Sequence, residues 1–560
     1  MKKIFILSHF LVAISYFSIS QNAGIGTTTP VGKLHIKGSA NIPQLIIDAN
    51  GTQGNTNPLI KLRNSTGKDL MWIHADDSTT VFIGQYAGRA NSAGTGLWNV
   101  FIGGKAGYSN TTGNANTAIG NSALFSNTTG HQNTAHGAYA LYANTTGNFN
   151  TATGEGALQS NTTGEYNTAM GISALTDNST GSFNSAYGAG ALAQNTTGNN
   201  NTANGFFSLI ISTTGNDNTA SGFKSLYSNQ TGDYNSAIGS TALYSNTSGT
   251  NNSAIGSAAL YSNTSGANNS ATGYGAMYSN TTGNANTANG INALYSGNTG
   301  SENTAIGYYS LFFNTTGLHN TGLGAYALYG TTVSQYNTAI GFNAGAVHNM
   351  GWNNTMLGAN CDINTDGLFN CIAIGQGMVC TASNQARIGN SSTTSIGGYT
   401  NWTNISDGRV KKNIQDNVPG LVFINKLKPV TYNLDIAAAD RIVQKPPVKD
   451  KDGKMIHASL FETNASRQKE QIMYTGFIAQ DVEKAAKEIG YDFSGVDAAK
   501  NDKSLYGLRY AEFVVPLVKA VQELSKENEE FKKQSAEQKQ QNEELLRRIE
   551  KLEWLLTSKK

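Results

Sequence analysis

The chain has 560 residues, enough for several domains, yet only 13% of them are charged, about half the share of an ordinary globular protein. Gly numbers 63 and Pro only 8, while Asn, Thr and Ser crowd the middle of the chain, a composition of turns rather than of helices. The net charge of +2 hides an uneven distribution, since 27 of the 38 Lys and Arg and 24 of the 36 Asp and Glu follow residue 405; neither part carries a basic stripe, which excludes nucleic acid as a partner.

Residues 1–20 open with Met1, Lys2 and Lys3, continue as an apolar run from Ile4 to Ile19, and place small Ser18 and Ser20 before Gln21. This pattern predicts a signal peptide cut after Ser20, and so a secreted or bacterial cell-surface protein rather than a conventional virion component. The run is short for a spanning helix and is broken by Ser8 and His9, so no transmembrane span is expected in the mature chain. Residues 21–80 alternate β-prone runs, Lys33-Leu34-His35-Ile36 and Gln44-Leu45-Ile46-Ile47, with Gly and Asn turns, which predicts a small β head or cap.

From residue 81 to residue 398 the chain repeats. Asn116-Thr117-Ala118-Ile119-Gly120 returns as Asn133-Thr134-Ala135-His136-Gly137 and Asn150-Thr151-Ala152-Thr153-Gly154, always at a step of 17, and Gly fills the fifth place in seventeen consecutive units from Gly103 to Gly375. A second column runs through Leu124, Leu141, Leu158, Leu175 and onward to Leu328, with Met277 as its one substitute. Turns such as Asn127-Thr128-Thr129-Gly130 close most units. Each unit therefore reads as two short strands and two tight bends, and the fold class as mainly β, a 17-residue-repeat β-roll or β-solenoid shaft whose coils bury their apolar face only against their neighbours. These units resemble the head repeats of trimeric autotransporter adhesins, whose Asn-Ser-x-Ala-x-Gly coils form left-handed β-rolls.

The repeats hold few acids. Glu155, Glu165, Asp177, Asp217, Asp233 and Glu302 scatter over the register and read as solvated loop charges rather than as the paired carboxylates of a glycan-cleaving spike. The Asp-rich nonapeptides of calcium-binding rolls are missing, and no cofactor or metal is predicted. The Thr column through Thr117, Thr134, Thr151 and Thr168 has the look of a water-ordering face but is interrupted by Ser185, Ser236 and Ser253, and the Asn-x-Thr tripeptides are explained by turn geometry without glycan. The aromatic column through Tyr142, Tyr227, Tyr244 and Tyr261 reads as packing in preference to sugar stacking. Cys361, Cys371 and Cys380 read as small buried residues, with a Cys361–Cys371 disulfide as an optional bridge outside the cytoplasm.

Composition changes at Asn404-Ile405-Ser406-Asp407-Gly408-Arg409-Val410-Lys411. A Ser five residues before a Lys is a weak signal alone, although a buried Lys can act as base toward a Ser hydroxyl. The wider pattern is specific: Ser406-Asp407-x-Arg409-x-Lys411-x-x-Ile414, then Leu427-Lys428-Pro429-Val430-Thr431-Tyr432, then Gly476-Phe477-Ile478-Ala479-Gln480-Asp481-Val482-Glu483, then Leu508-Arg509-Tyr510 leading into Val514 to Leu524. Residues 399–516 thereby resemble the intramolecular chaperone auto-processing domain, a small α+β self-cleaving serine peptidase that closes endosialidases and other phage tail spikes and also occurs in myelin regulatory factor. The resemblance implies Ser406 as nucleophile on the Ile405 carbonyl, Lys411 as general base, Asp407 and Arg409 in support, and a single cut between Ile405 and Ser406 once a homotrimer has formed. Residues 438–467 form a longer polar insertion than that family leads one to expect, and His457, inside it, reads as exposed rather than as a family His. Beyond it, residues 517–560 hold the a and d spacing through Leu517, Val521, Leu524, Asn528, Phe531, Ser535, Gln538, Asn542, Leu545, Ile549, Leu552 and Leu556, which predicts a trimeric coiled coil.

The expected function is a tail-fibre-like or adhesin-like structural protein whose chaperone templates the trimer and leaves by one self-directed cut, with no turnover enzyme in the shaft. Two alternatives stay open: a spike that binds or degrades a cell-surface or host glycan, and a fibre that keeps an uncut chaperone as a trimer clamp.

Overall fold

The computed structural model describes residues 23–25, 34–36, 43, 45–48, 58–75, 78–399, 402–443 and 464–558. The signal reading of residues 1–20, much of the expected head, and His457 lie outside the described residues. The chain forms two compact units, Met1–Thr163 and Gly164–Lys560.

In the first unit, Ala23–Ile25 and Leu34–Ile36 pair in parallel. A hairpin of Ile60–Arg63 and Asp69–His74 turns on Asn64, whose side-chain oxygen accepts from the Thr66 and Lys68 N–H groups at 3.1 and 2.8 Å. Its second strand runs antiparallel to Val81–Ile83, and every later pairing in this unit is parallel, through Val100–Ile102, Thr117–Ile119, Thr134–His136 and Thr151–Thr153. The hairpin covers an edge that would otherwise offer unpaired backbone. It buries Trp72 and His74, each 4% exposed, and sets His74 against the Phe82 ring at 5.1 Å. Burial pushes the His74 pKa down to about 4.

The second unit has coils of the same kind from Thr168–Met170 to Thr355–Leu357, each residue paired with the one 17 further on, as in Ala169 with Ala186 and Met170 with Tyr187. Ile372–Ile374 and Ala386–Ile388 finish the ladder, their pairing shortened to a step of 14. A short second row joins Asp362–Ile363 to Val379–Cys380.

Each regular coil has one three-residue strand, not two. The Ala-Leu segment is a bend in which the Leu takes a left-handed backbone, with φ 53° at Leu124 and 51° at Leu141 and Leu260. Its N–H groups still bridge to the next coil, Leu124 to Ala140 O at 2.9 Å and Ser126 to Tyr142 O at 2.9 Å. A left-handed Leu costs about 1–2 kcal/mol, while burying its side chain fully returns about 1.5–3 kcal/mol. The two nearly cancel, so the column persists because Leu124, Leu141 and their successors are completely buried.

The fifth-place glycines have a steric cause. Gly239 sits at φ 135°, and a Cβ there would lie 2.5 Å from the Gly256 carbonyl oxygen of the next coil. The asparagines do more than turn the chain: the N–H of Asn133 donates to Asn116 Oδ1 at 3.0 Å while Asn133 Nδ2 donates to Gly147 O at 2.9 Å. A second column links Asn127 Nδ2 to Asn110 Oδ1 at 2.7 Å. Both columns are fully buried, so these amides replace the water that the bend backbone loses. The aromatic column packs as expected, Tyr227 through Phe312 stacking ring on ring at 5.0 to 5.2 Å.

After the coils comes a small α+β module. Its core joins Phe423, Val482, Ala486, Phe493 and Phe513. Strands Val430–Tyr432 and Tyr474–Gly476 pair antiparallel, helix Ala479–Glu488 follows, and Val496–Asp497 pairs with Gly507–Leu508. The chain then runs into one helix from Val514 to Thr557.

Candidate active site

The sequence blocks around Leu427, Gly476 and Leu508 converge in space. Val430 faces Gly476 across the two-stranded sheet, Phe477 stacks on Phe513 at 5.4 Å, and the Phe477 N–H donates to the Tyr510 hydroxyl at 3.2 Å. A Cβ on Gly476 would meet that hydroxyl at 2.3 Å, which explains a glycine there. Glu523 of the long helix accepts from the Leu421 N–H at 2.7 Å, capping helix Leu421–Ile424.

Ser406 and its neighbours lie where the chain enters this module. Asp407 caps a 3-10 turn, Gly408–Val410, accepting from the Arg409 N–H at 2.9 Å. The Arg409 guanidinium returns to the same carboxylate at 2.9 and 2.5 Å. That hydrogen-bonded guanidinium, with the backbone N–H second, holds the Asp407 carboxyl below its usual pKa. The turn closes with the Lys411 N–H on Gly408 O at 3.2 Å, and this folds the Lys411 ammonium back onto Ser406, Nζ to Oγ 2.8 Å. The family resemblance named all four as candidates, and the turn that brings Lys411 over Ser406 is held by the Asp407–Arg409 pair, a contact that spacing does not reveal. Ile405, on the other side of the candidate scissile bond, is 89% exposed. The buried setting expected of a basic lysine is not provided by this chain alone, where Ser406 and Lys411 are both exposed.

The module grips the last coil through side chains. Lys469 Nζ donates to Thr393 O at 2.7 Å and Asn501 Nδ2 to Thr381 O at 2.9 Å. Of the repeat acids, Asp233 has a structural place: its Oδ1 accepts from the Asn216 N–H at 2.7 Å, as Asn216 does for Asn199 one coil earlier. Sequence reading passed over Asp362, a fully buried carboxylate that accepts from the Val347 and Ile363 N–H groups at 2.9 and 2.8 Å. Cys361, Cys371 and Cys380 are small buried residues as read from the sequence, and the optional Cys361–Cys371 bridge is not formed. All three are thiols, with Cys371 Sγ 3.5 Å from Ala382 O and Cys380 Sγ 3.5 Å from Ile372 O. Among the described residues, no three His, Cys, Asp or Glu side chains gather as a metal would need, and no helix is long and apolar enough to cross a membrane.

Coils of this kind, ended by a small module that carries a Ser–Lys pair at its entrance, make a β-solenoid with a C-terminal α+β module, an arrangement that fits a tail-fibre-like protein. The particular module is set by residues 406–491, which match the family model described as the chaperone of endosialidase. The match begins on Ser406 and covers the Leu427 and Gly476 blocks, while the Leu508 block and the long helix lie beyond it. No curated protein and no solved structure gives a significant match to the chain.

Proposed function

We propose that the protein is a secreted or surface-borne trimeric fibre that cuts itself once, between Ile405 and Ser406, after its C-terminal chaperone has aligned three chains. The observation that carries this reading is the 2.8 Å contact from Lys411 Nζ to Ser406 Oγ at the first residue of the chaperone match. In the proposed step Lys411, neutral, takes the hydroxyl proton as Oγ attacks the Ile405 carbonyl carbon. The C–N bond to Ser406 breaks, the freed amine takes that proton, and an ester joins Ile405 to the Ser406 side chain. Water then hydrolyses the ester, leaving an Ile405 carboxylate and Ser406 as a new N-terminus.

A lysine serves as a base when it is desolvated and neutral. Since Lys411 is open to solvent in the single chain, covering it by neighbouring chains would make the cut wait for assembly. The exposed apolar column of the long helix, from Leu517 and Val521 to Leu552 and Leu556, supports self-association. Expressing the full chain beside Ser406→Ala and comparing them on a denaturing gel tests the cut. Two fragments from the wild type and one uncut band from the variant are expected; an uncut wild type removes the cleavage step and leaves the clamp reading.

A second reading has one observation in its favour. Tyr336 and Trp352, 54% and 53% exposed, flank a cleft that also holds Asn349 and Asp366, a combination of ring faces and polar groups suited to a sugar. Glycan-array binding that Trp352→Ala abolishes would support it, and an empty array would remove it.

A further inference from the structure

The last coils break two columns at once. Along one column each buried Asn carbonyl accepts the N–H of the residue 17 further on, as Asn320 does for Asn337 and Asn337 for Asn354. Asn354 continues the pattern by accepting from the next N–H at 2.9 Å, but the residue it accepts from is Cys371. Where earlier coils carry the aromatic ladder, the final positions are Ile363 and Cys380, paired across the short second row and fully buried. The two sulfurs cross-index each other's backbone: Cys371 Sγ lies 3.5 Å from Ala382 O, and Cys380 Sγ lies 3.5 Å from Ile372 O. Cys380 Sγ also lies 3.8 Å from Gln385 O, so both thiols sit between the same neighbouring segments, and each bears on the other's titration. Cys361, in the Ala column, instead points its thiol at Gly358 O, 2.9 Å away.

We propose that Cys371 and Cys380 form an intrachain disulfide that staples the final full coil of the solenoid. Two buried thiols seated against each other's neighbouring carbonyls are placed for an S–S bond to close when an oxidant is supplied. The exchange opens on a thiolate, and either cysteine can supply it, for instance Cys371. Its sulfur attacks a small-molecule disulfide such as oxidised glutathione, releasing one thiol and forming a mixed disulfide. Cys380, losing its proton, then displaces the second thiol. One disulfide is consumed, two protons leave the cysteines, and two small thiols carry them away. Both side chains are buried in the closed coil, so exchange takes place before the last coil zips or while it breathes.

The staple belongs at this place for a physical reason. A solenoid frays at its ends, where a coil has a neighbour on one side only. This end also lacks the regular step, since Ile372 pairs with Ala386, 14 residues on. It is the end that the C-terminal module grips through Asn501 on Thr381, next to Cys380. A fibre that sheds the module would lose that grip and keep the staple, although the disulfide itself does not depend on the cut.

The test is made on the full chain secreted into an oxidising medium, denatured and alkylated without reduction, then digested at acid pH and mapped by mass spectrometry. One alkylated cysteine, Cys361, and a Cys371–Cys380 linkage are expected, the same whether or not the chain has been cut before Ser406. Three alkylated cysteines, or a linkage that includes Cys361, would overturn the proposal. Reduced protein treated with oxidised glutathione should gain the same bond in Cys361→Ser and not in Cys380→Ser, and reductant should lower the melting temperature of the wild type while leaving Cys380→Ser unmoved.

Discussion

Lys411 and Ser406 touch because a three-residue turn folds one onto the other, and the turn is held by Asp407 and Arg409. Lys411→Arg keeps a cation but not a group that can give up its proton. We expect it to abolish the cut while leaving the circular dichroism and melting profile of the wild type; a cut variant would remove Lys411 from the base role. At the other end of the chain, His74 is buried beneath the hairpin and its pKa is depressed from 6.5 to about 4. The unfolded hairpin therefore binds a proton that the folded one refuses, so stability present above pH 6.5 is lost as the pH falls toward 4. Protection factors of the amides in residues 60–75 and 78–83, taken relative to the intrinsic exchange rate at each pH, should fall over that window in the wild type and stay flat in His74→Phe. Spacing alone is a weak signal for Ser406 and Lys411, whose candidacy rests on the wider motif that resembles the chaperone family. Spacing missed the placing of Cys371 and Cys380, because those residues are set inside a coil whose cross-section no period encodes.

The coil is the element on which most of the fold rests, and its period was plain in the sequence. What the period could not show is backbone conformation: an Ala-Leu pair with apolar spacing looks like a strand, and only the left-handed φ of Leu124 or Leu243 makes it a bend. The asparagines were hidden for a related reason, since a turn-forming Asn and a buried Asn that bridges two coils are the same letter. Their roles separate by substitution. Asn252→Ala removes the acceptor of the Asn269 N–H and the donor to Gly266 O, both buried, and should cost about 1–3 kcal/mol per stranded group. Leu243→Ala opens a cavity in the apolar column and should cost about 2–5 kcal/mol. Gly239→Ala forces a Cβ to within 2.5 Å of a backbone oxygen and should displace the coil itself. Limited proteolysis should find new cleavage beside residue 239 in that variant; in Leu243→Ala the loss should register as a lower melting temperature with the coil still intact. Equal protection of Gly239→Ala and wild type would show that the fifth-place glycine is not sterically required.

Across the whole chain, the proposed cut and the proposed trimer depend on each other through solvent. The helix from Val514 to Thr557 leaves Leu524, Leu545, Ile549 and Leu552 largely exposed, an apolar column of about two kcal/mol per side chain that another copy of the helix would bury. Asn528 and Asn542, at matching places in that column, trade some of this stability for register. Register matters here because a coil paired one residue out would turn every side chain to the wrong face. Lys411, solvent-exposed in one chain, is where assembly would be felt. An Ile549→Asp and Leu552→Asp double variant touches neither the Ser406–Lys411 pair nor the module core, so any effect on the cut must pass through association. Light scattering on Ser406→Ala should give three chains per particle, and the double variant should give one. In the background of an intact Ser406, the same double variant should cut at least tenfold more slowly than wild type, with the rate recovering as protein concentration is raised. A monomer that cuts at the wild-type rate would sever the link between assembly and cleavage and leave the dyad acting within one chain.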